Sequence, residues 1–297
     1  MLVAPPADVI GHPGSMKLSA MVGKSDGETD RKAQIAATFG QAAVRYDQYA
    51  HVQREYAIKL MMFLQRFLAD QPRALPPGRI LEIGCGTGLI TQQLLAHFPD
   101  RTLEITDLSP AMLAFCRQQV QPDDHPAANL HFRQLDGEAP IGVAAPYALI
   151  VTGFTIQWFS DPLAALRRYL QWLEPGGILL VAFPDDRSFP EWRLACQTLA
   201  LPFTANPLPH TASLVRGLSH PAIALQCQQE MSSGTYPCAA DFFRGLKAIG
   251  AHSPAHDRQL TTTQFRQLLR YLDQHSQPVI ISYGVTLLLA QVHSLVD

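Results

Sequence analysis

The sequence predicts an α/β domain built on a mostly parallel sheet with an antiparallel last strand. Three observations predict it. From Arg79 to Phe183, short aliphatic runs alternate with helical segments, the pattern of parallel strands joined by crossover helices. One of those runs, Ile178–Phe183, is apolar at every position, as expected of a strand covered by helices on both faces. The run Glu82-Ile83-Gly84-Cys85-Gly86-Thr87-Gly88 ends the first strand and opens a helix. Its glycines permit a sharp turn and close approach of a ligand to the main chain, with amide N–H groups aimed at that ligand.

The elements follow in order. Residues 1–30 carry Pro5, Pro6 and Pro13 with no periodicity, and a disordered extension is expected there. Over residues 31–70 the spacing of Ile35, Phe39, Ala43, Tyr46, Ala50, Ala57, Leu60, Leu64 and Phe67 predicts one helix, a cap over the domain. Arg79–Ile83, Thr102–Thr106, Leu130–Leu135, Tyr147–Thr152 and Ile178–Phe183 read as strands of a core spanning 79–183. Ser109-Pro110 and Asp161-Pro162 each supply an N-cap and a proline in the first helical turn. Ser188 and Glu191 have the spacing of a capping box, as do Thr261 and Gln264. Residues 185–222 and 238–275 are expected to form an inserted helical lid, and 278–293 the last strand.

Composition narrows the function. Of the 297 residues 47% are hydrophobic, enough for a sizeable core, and 23 basic against 25 acidic side chains exclude a general nucleic-acid binder. Five cysteines with no CxxC pair point away from a disulfide framework or a zinc site and toward a reducing cytoplasm. No apolar run reaches the ~18 residues that span a bilayer, and the first residues lack a secretory pattern. A cytoplasmic monomer without metal, acting away from membranes and nucleic acid, is the expectation.

The glycines at 84, 86 and 88 do not fit the G-x-G-x-x-G of dinucleotide sites, because position 89 is Leu. Asp107 ends the next strand, where a carboxylate accepts from both ribose hydroxyls of a nucleoside. Asp136-Gly137 follows the third strand and suits the adenine edge, with Asp136 accepting from the amino group and the Gly137 N–H reaching a ring nitrogen. Three such signals at successive strand ends point to S-adenosyl-L-methionine as cofactor, ahead of a nicotinamide dinucleotide. Glu82, Gly84, Cys85, Gly86, Gly88, Asp107, Leu108, Met112, Asp136, Gly137, Tyr46 and Thr152 are the candidate cofactor residues.

Over residues 31–183 the chain resembles class I methyltransferases, with their Rossmann-like sheet. From Ile35 to Val292 it is similar to the malonyl-acyl-carrier-protein O-methyltransferases of biotin synthesis. The stretches Ile35–Gly40, Tyr46–Arg54, Leu108–Leu113, Gln157-Trp158, Ser188–Glu191 and Phe243–Ala251 carry that likeness. The resemblance implies transfer of a methyl group to the free carboxylate of a malonyl thioester, on an acidic acyl-carrier protein or on malonyl-CoA. A carboxylate is already ionised at pH 7 and needs no base, only alignment and desolvation. Arg244 and Lys247 are the expected cations for the substrate, and Gln157 and Trp158 the expected walls near the methyl group. Arg31, Lys32, Arg45, Arg54, Arg216, Arg258 and Arg266 are candidates for a basic docking face. A methyltransferase for another small acid or natural-product precursor, and a non-catalytic cofactor-binding regulator, are the alternatives.

Overall fold

The structure, a computed structural model, describes residues 19–71, 74–121, 129–143, 145–251 and 259–293, with the side chains of 19–26 excepted. Its centre is a seven-stranded sheet of β1 (Ile80–Ile83), β2 (Leu103–Asp107), β3 (Leu130–Gln134), β4 (Tyr147–Gly153), β5 (Leu173–Pro184), β6 (Ile223–Tyr236) and β7 (Val279–Val292). The strand order is β3-β2-β1-β4-β5-β7-β6. β1 to β5 pair in parallel, and β7 lies antiparallel between β5 and β6. This is the expected sheet, and the chain reverses its direction of travel between β1 and β4, where α/β sheets open a ligand crevice.

Successive residues of a strand face opposite sides. Ile80, Ile178, Leu180, Leu287 and Leu289 therefore enter one core, beneath α2 (His51–Ala69) and α3 (Leu89–His97). Leu81, Ile83, Leu179, Val181 and Leu288 enter the other, against α5 (Pro162–Gln171) and α7 (Thr211–Leu218). α7 thus belongs to a face of the sheet, although residues 185–222 were expected in a lid. α4 (Pro110–Val120) starts at the Ser109 cap, as the Ser-Pro signal predicts.

β6 and β7 pair from Ile223↔Val292 to Tyr236↔Val279, whereas β5 reaches only Val285. The overhanging half of the β6–β7 ribbon supports a third, aromatic core. It is made with α6 (Pro190–Thr198), α8 (Ala239–Ala248) and α9 (Thr262–His275), and contains Phe189, Trp192, Tyr236, Phe242 and Leu268.

Three boundaries differ from expectation. Helix begins at Ser19, inside the residues expected to be disordered, and residues 1–18 lie outside the described part. The single helix expected over 31–70 is two, α1 (Ser19–Tyr49) and α2, because Ala50 leaves helical geometry at ψ 40°. The Ser188–Glu191 box does not form. Phe189 precedes α6 in a left-handed conformation, Ser188 Oγ bonds the Gly284 main chain, and Glu191 accepts from Ser282 N and Oγ. Tertiary contacts with β7 take both side chains. The second box, Thr261 with Gln264, does form.

Candidate active site

A narrow slot of about 120 Å³ opens at the switch point between β1 and β4. The ends of four parallel strands line it. Gly84, Cys85 and Gly86 follow β1, Asp107 ends β2 with Leu108 after it, Asp136 and Gly137 follow β3, and Gly153 ends β4 with Phe154 and Thr155 after it. Met112 of α4 and Phe39 and Tyr46 of α1 complete the wall.

The glycine loop is shaped by its neighbours. Gly84 has φ +74°, and a Cβ there would collide with the Thr155 side chain. Gly86 has φ +54°, yet a Cβ there would meet nothing within 4 Å. It faces open space in the slot, so the main chain itself forms the cradle. Asp107 fastens this loop: its Oδ2 accepts from Gly86 N at 2.9 Å and its Oδ1 from Ser109 N at 2.8 Å. Burial raises the Asp107 pKa, and the main-chain hydrogen bonds oppose the rise. Each oxygen keeps a lone pair for a hydroxyl donor. These features fit a nucleoside cofactor with a polar amino-acid tail.

α1 lies across the slot. Lys32 Nζ bonds Asp136 Oδ2 at 2.9 Å and Glu138 Oε2 at 3.0 Å, and Arg31 donates to Trp158 O at 2.7 Å. Phe39 packs edge-on against Trp158 at 5.2 Å. Asp47 accepts from Thr87 Oγ1 at 2.7 Å, tying the same helix to the glycine loop. Tyr46 titrates well above an ordinary phenol through burial, with the charges of Asp107 and Asp47 adding to the effect.

A second cavity, a chamber of about 530 Å³, adjoins the slot between the C-terminal sheet edge and the aromatic core. Gln53, Phe154 and Trp158 line both cavities and stand at the boundary between them. The chamber wall carries an aromatic cluster, Phe189, Trp192, Phe243, Phe265 and Tyr283, among aliphatic and amide side chains. Gln157 lines the chamber too, its amide fixed by donation from Nε2 to Phe154 O at 2.7 Å.

Residues 81–179 match a methyltransferase domain family. The biotin biosynthesis bifunctional protein BioCD of Bordetella avium is 36% identical over 251 residues, and this chain spans 51% of that protein's length. The malonyl-acyl-carrier-protein O-methyltransferase of Magnetococcus marinus is 30% identical over 261 residues, covering 87% of this chain and 92% of that one. The chain belongs to the malonyl-acyl-carrier-protein O-methyltransferase family. Solved structures share the fold. The YcgJ protein of Bacillus subtilis superposes with TM-score 0.56 at 16% identity, over 81% of this chain and 99% of that one. The plantazolicin methyltransferase BpumL, in complex with S-adenosylhomocysteine, does so with TM-score 0.53 at 13% identity, over 92% and 100%. The protein is thus an S-adenosylmethionine-dependent methyltransferase.

Within this methyltransferase several expected site residues stand elsewhere. Glu82 lines neither cavity. It is buried at 1% exposure and turned to α3, where Thr91 Oγ1 donates to its Oε2 at 2.6 Å. Thr152 is fully buried in β4 and also lines neither, because the chain reaches the slot only from Gly153 onward. Gly88 caps α3 at φ 95° and faces Cys116 rather than the slot. Arg244 and Lys247 are exposed on α8 and line neither cavity, while Phe243 and Leu246 of the same helix face the chamber. Arg244 pairs with Asp241. Gln53 and Tyr283 join the chamber without having been singled out. Gln53 falls inside the family-like stretch Tyr46–Arg54, which was the available signal.

Proposed function

We propose that this methyltransferase transfers the methyl group of S-adenosylmethionine to the free carboxylate of a malonyl thioester, in biotin synthesis. The cofactor sits in the slot, with Asp107 on its ribose, Asp136 and Gly137 at the adenine, and the glycine loop against its amino-acid end. The malonyl group sits in the chamber. The observation that carries the reading is adjacency: a mainly apolar chamber lies against the slot, and Gln53, Phe154 and Trp158 line both.

S-adenosylmethionine supplies a methyl group on a positively charged sulfur. The protein's own part is alignment and exclusion of water. Phe154 and Trp158 confine the approach at that boundary, and Gln53 offers an amide there to orient the carboxylate. The aromatic wall strips water from an anion whose attack then needs no proton removed. The carrier is an acidic acyl-carrier protein or CoA, and the enzyme works in the cytoplasm as a monomer.

One assay tests this. Labelled methyl should pass from the cofactor to malonyl-carrier protein and to malonyl-CoA, giving a base-labile methyl ester at a rate nearly flat from about pH 6 to 8. A rate that climbs with a midpoint near pH 7 would instead assign a hydroxyl or amine acceptor. The breadth of the aromatic chamber also admits a larger natural-product acid, and turnover of such an acid in place of malonyl thioesters would establish that alternative.

A further inference from the structure

Two phenols meet at the chamber wall. Tyr283, in the overhanging half of β7, lines the chamber, and its ring stands edge-on to Phe189 at 5.2 Å. Its hydroxyl lies 2.8 Å from that of Tyr236, at the end of β6. Tyr236 is 8% exposed and packed against Phe242 at 5.4 Å. The fit is specific to a glycine at position 234, where a Cβ would stand 2.6 Å from the Tyr236 hydroxyl.

We propose that this pair positions the acceptor: Tyr283 donates a hydrogen bond to the acceptor's carboxylate, and Tyr236, by donating to Tyr283, points that proton into the chamber. The inference rests on the reading of the chamber as the acceptor site and adds a residue pair to it. Proton counting supports it. Each phenol has one proton and two lone pairs, so two phenols in contact share one proton and leave the other free. Glu191, whose charge acts on Tyr283, is engaged by Ser282 N at 2.9 Å and Ser282 Oγ at 2.6 Å. Tyr236 does not line the chamber, so the arrangement in which it donates to Tyr283 is the one that delivers a proton to a ligand. Burial raises the pKa of both phenols, which keeps both neutral and able to donate across the physiological range.

A phenol suits this acceptor. An ionised carboxylate only accepts hydrogen bonds, and beside the apolar rings of the chamber each donor that reaches it counts. A neutral donor holds it in a charge-assisted bond without neutralising the charge that attacks the methyl group.

The test uses the full chain and the variants Tyr283→Phe and Tyr236→Phe, each of which removes one oxygen and keeps the ring. With malonyl-CoA, Tyr283→Phe should lower kcat/KM on the order of 10- to 100-fold, the range for a hydrogen bond to a charged group. Tyr236→Phe should cost a few-fold, as a residue acting through Tyr283. Affinity for S-adenosylhomocysteine should stay at the wild-type value in both, and both should melt in one cooperative transition, at a somewhat lower temperature because a partly buried hydrogen bond is lost. In the S-adenosylhomocysteine complex, where no methyl moves, Tyr283→Phe should weaken binding of malonyl-CoA more than binding of its methyl ester. Equal weakening of acid and ester would assign Tyr283 to packing and overturn the inference. Full activity of Tyr283→Phe beside an active wild type would overturn it while leaving the site reading standing. A wild-type enzyme that methylates no malonyl thioester would overturn both.

Discussion

Glu82 shows what a motif hides. Its place before the glycine loop was legible in the sequence, and so was the chemistry of the loop. The direction of its side chain was not, because that depends on Thr91 of α3 and on the packing above β1. Burial pushes the Glu82 carboxyl up to about 8, against the Thr91 hydrogen bond and with a contribution from the Asp107 charge. A raised acid makes the folded state hold a proton that the unfolded state has lost. Between the ordinary value of 4.5 and about 8, stability therefore falls as pH rises, and it levels off above. Wild-type melting temperature should drop over that window, and Glu82→Gln should flatten the drop by on the order of 1 kcal/mol per pH unit. Parallel melting curves for the two proteins would show Glu82 ionised throughout. Asp107, in contrast, points where the sequence put it. Asp107→Ala removes both the proposed ribose acceptor and the fastening of Gly86, so titration calorimetry should show S-adenosylmethionine binding weakened by roughly 1–3 kcal/mol. Unchanged affinity would take Asp107 out of the cofactor site.

At the scale of elements, the strands and the helices that follow Ser-Pro and Asp-Pro were readable because their determinants are local. The Ser188–Glu191 signal misled because its partners, Ser282 and Gly284, are about ninety residues away in sequence. The break at Ala50 carries no proline or glycine and no capping side chain, so nothing local announces it, and Ala50 itself is fully buried. α8 gives the sharpest contrast. Its sequence offers Arg244 and Lys247 as substrate cations, but helical spacing sends Phe243 and Leu246 to the chamber and turns the cations to solvent. Arg244→Ala should leave malonyl-CoA turnover within about 2-fold of wild type, since an exposed pair with Asp241 contributes little. A loss above ~10-fold in kcat/KM would bring the guanidinium back into contact with the malonyl group.

For the whole molecule, the strand order separates two tasks. The parallel half holds the slot at the switch point, and the overhang of β6 and β7 in the same sheet carries an aromatic roof beyond the end of β5. That overhang was invisible in the sequence, because strand length is readable but register is not. The roof also bears charge. Arg193, Arg244, Lys247, Arg266 and Arg270 are exposed on α6, α8 and α9, the three helices that enclose the chamber, although the chain as a whole carries a net charge of -2. Of the docking candidates on other elements, Lys32 and Arg31 are taken up by contacts across the slot, and Arg258 lies outside the described residues. A cationic roof over an apolar chamber suits an acidic carrier that delivers its acyl group on a flexible arm. Exposed charges of this kind act on the encounter rate and are screened beyond ~8–10 Å at physiological salt. CoA gives no comparable protein surface to the roof. Raising salt from low to physiological strength should therefore lower kcat/KM for malonyl-carrier protein several-fold more than for malonyl-CoA. Charge reversal of Arg244 and Lys247 together should reproduce that selective loss at low salt, with malonyl-CoA turnover kept. If both acceptors lose activity in step with salt, the roof does not dock the carrier, and delivery to the chamber runs over another face.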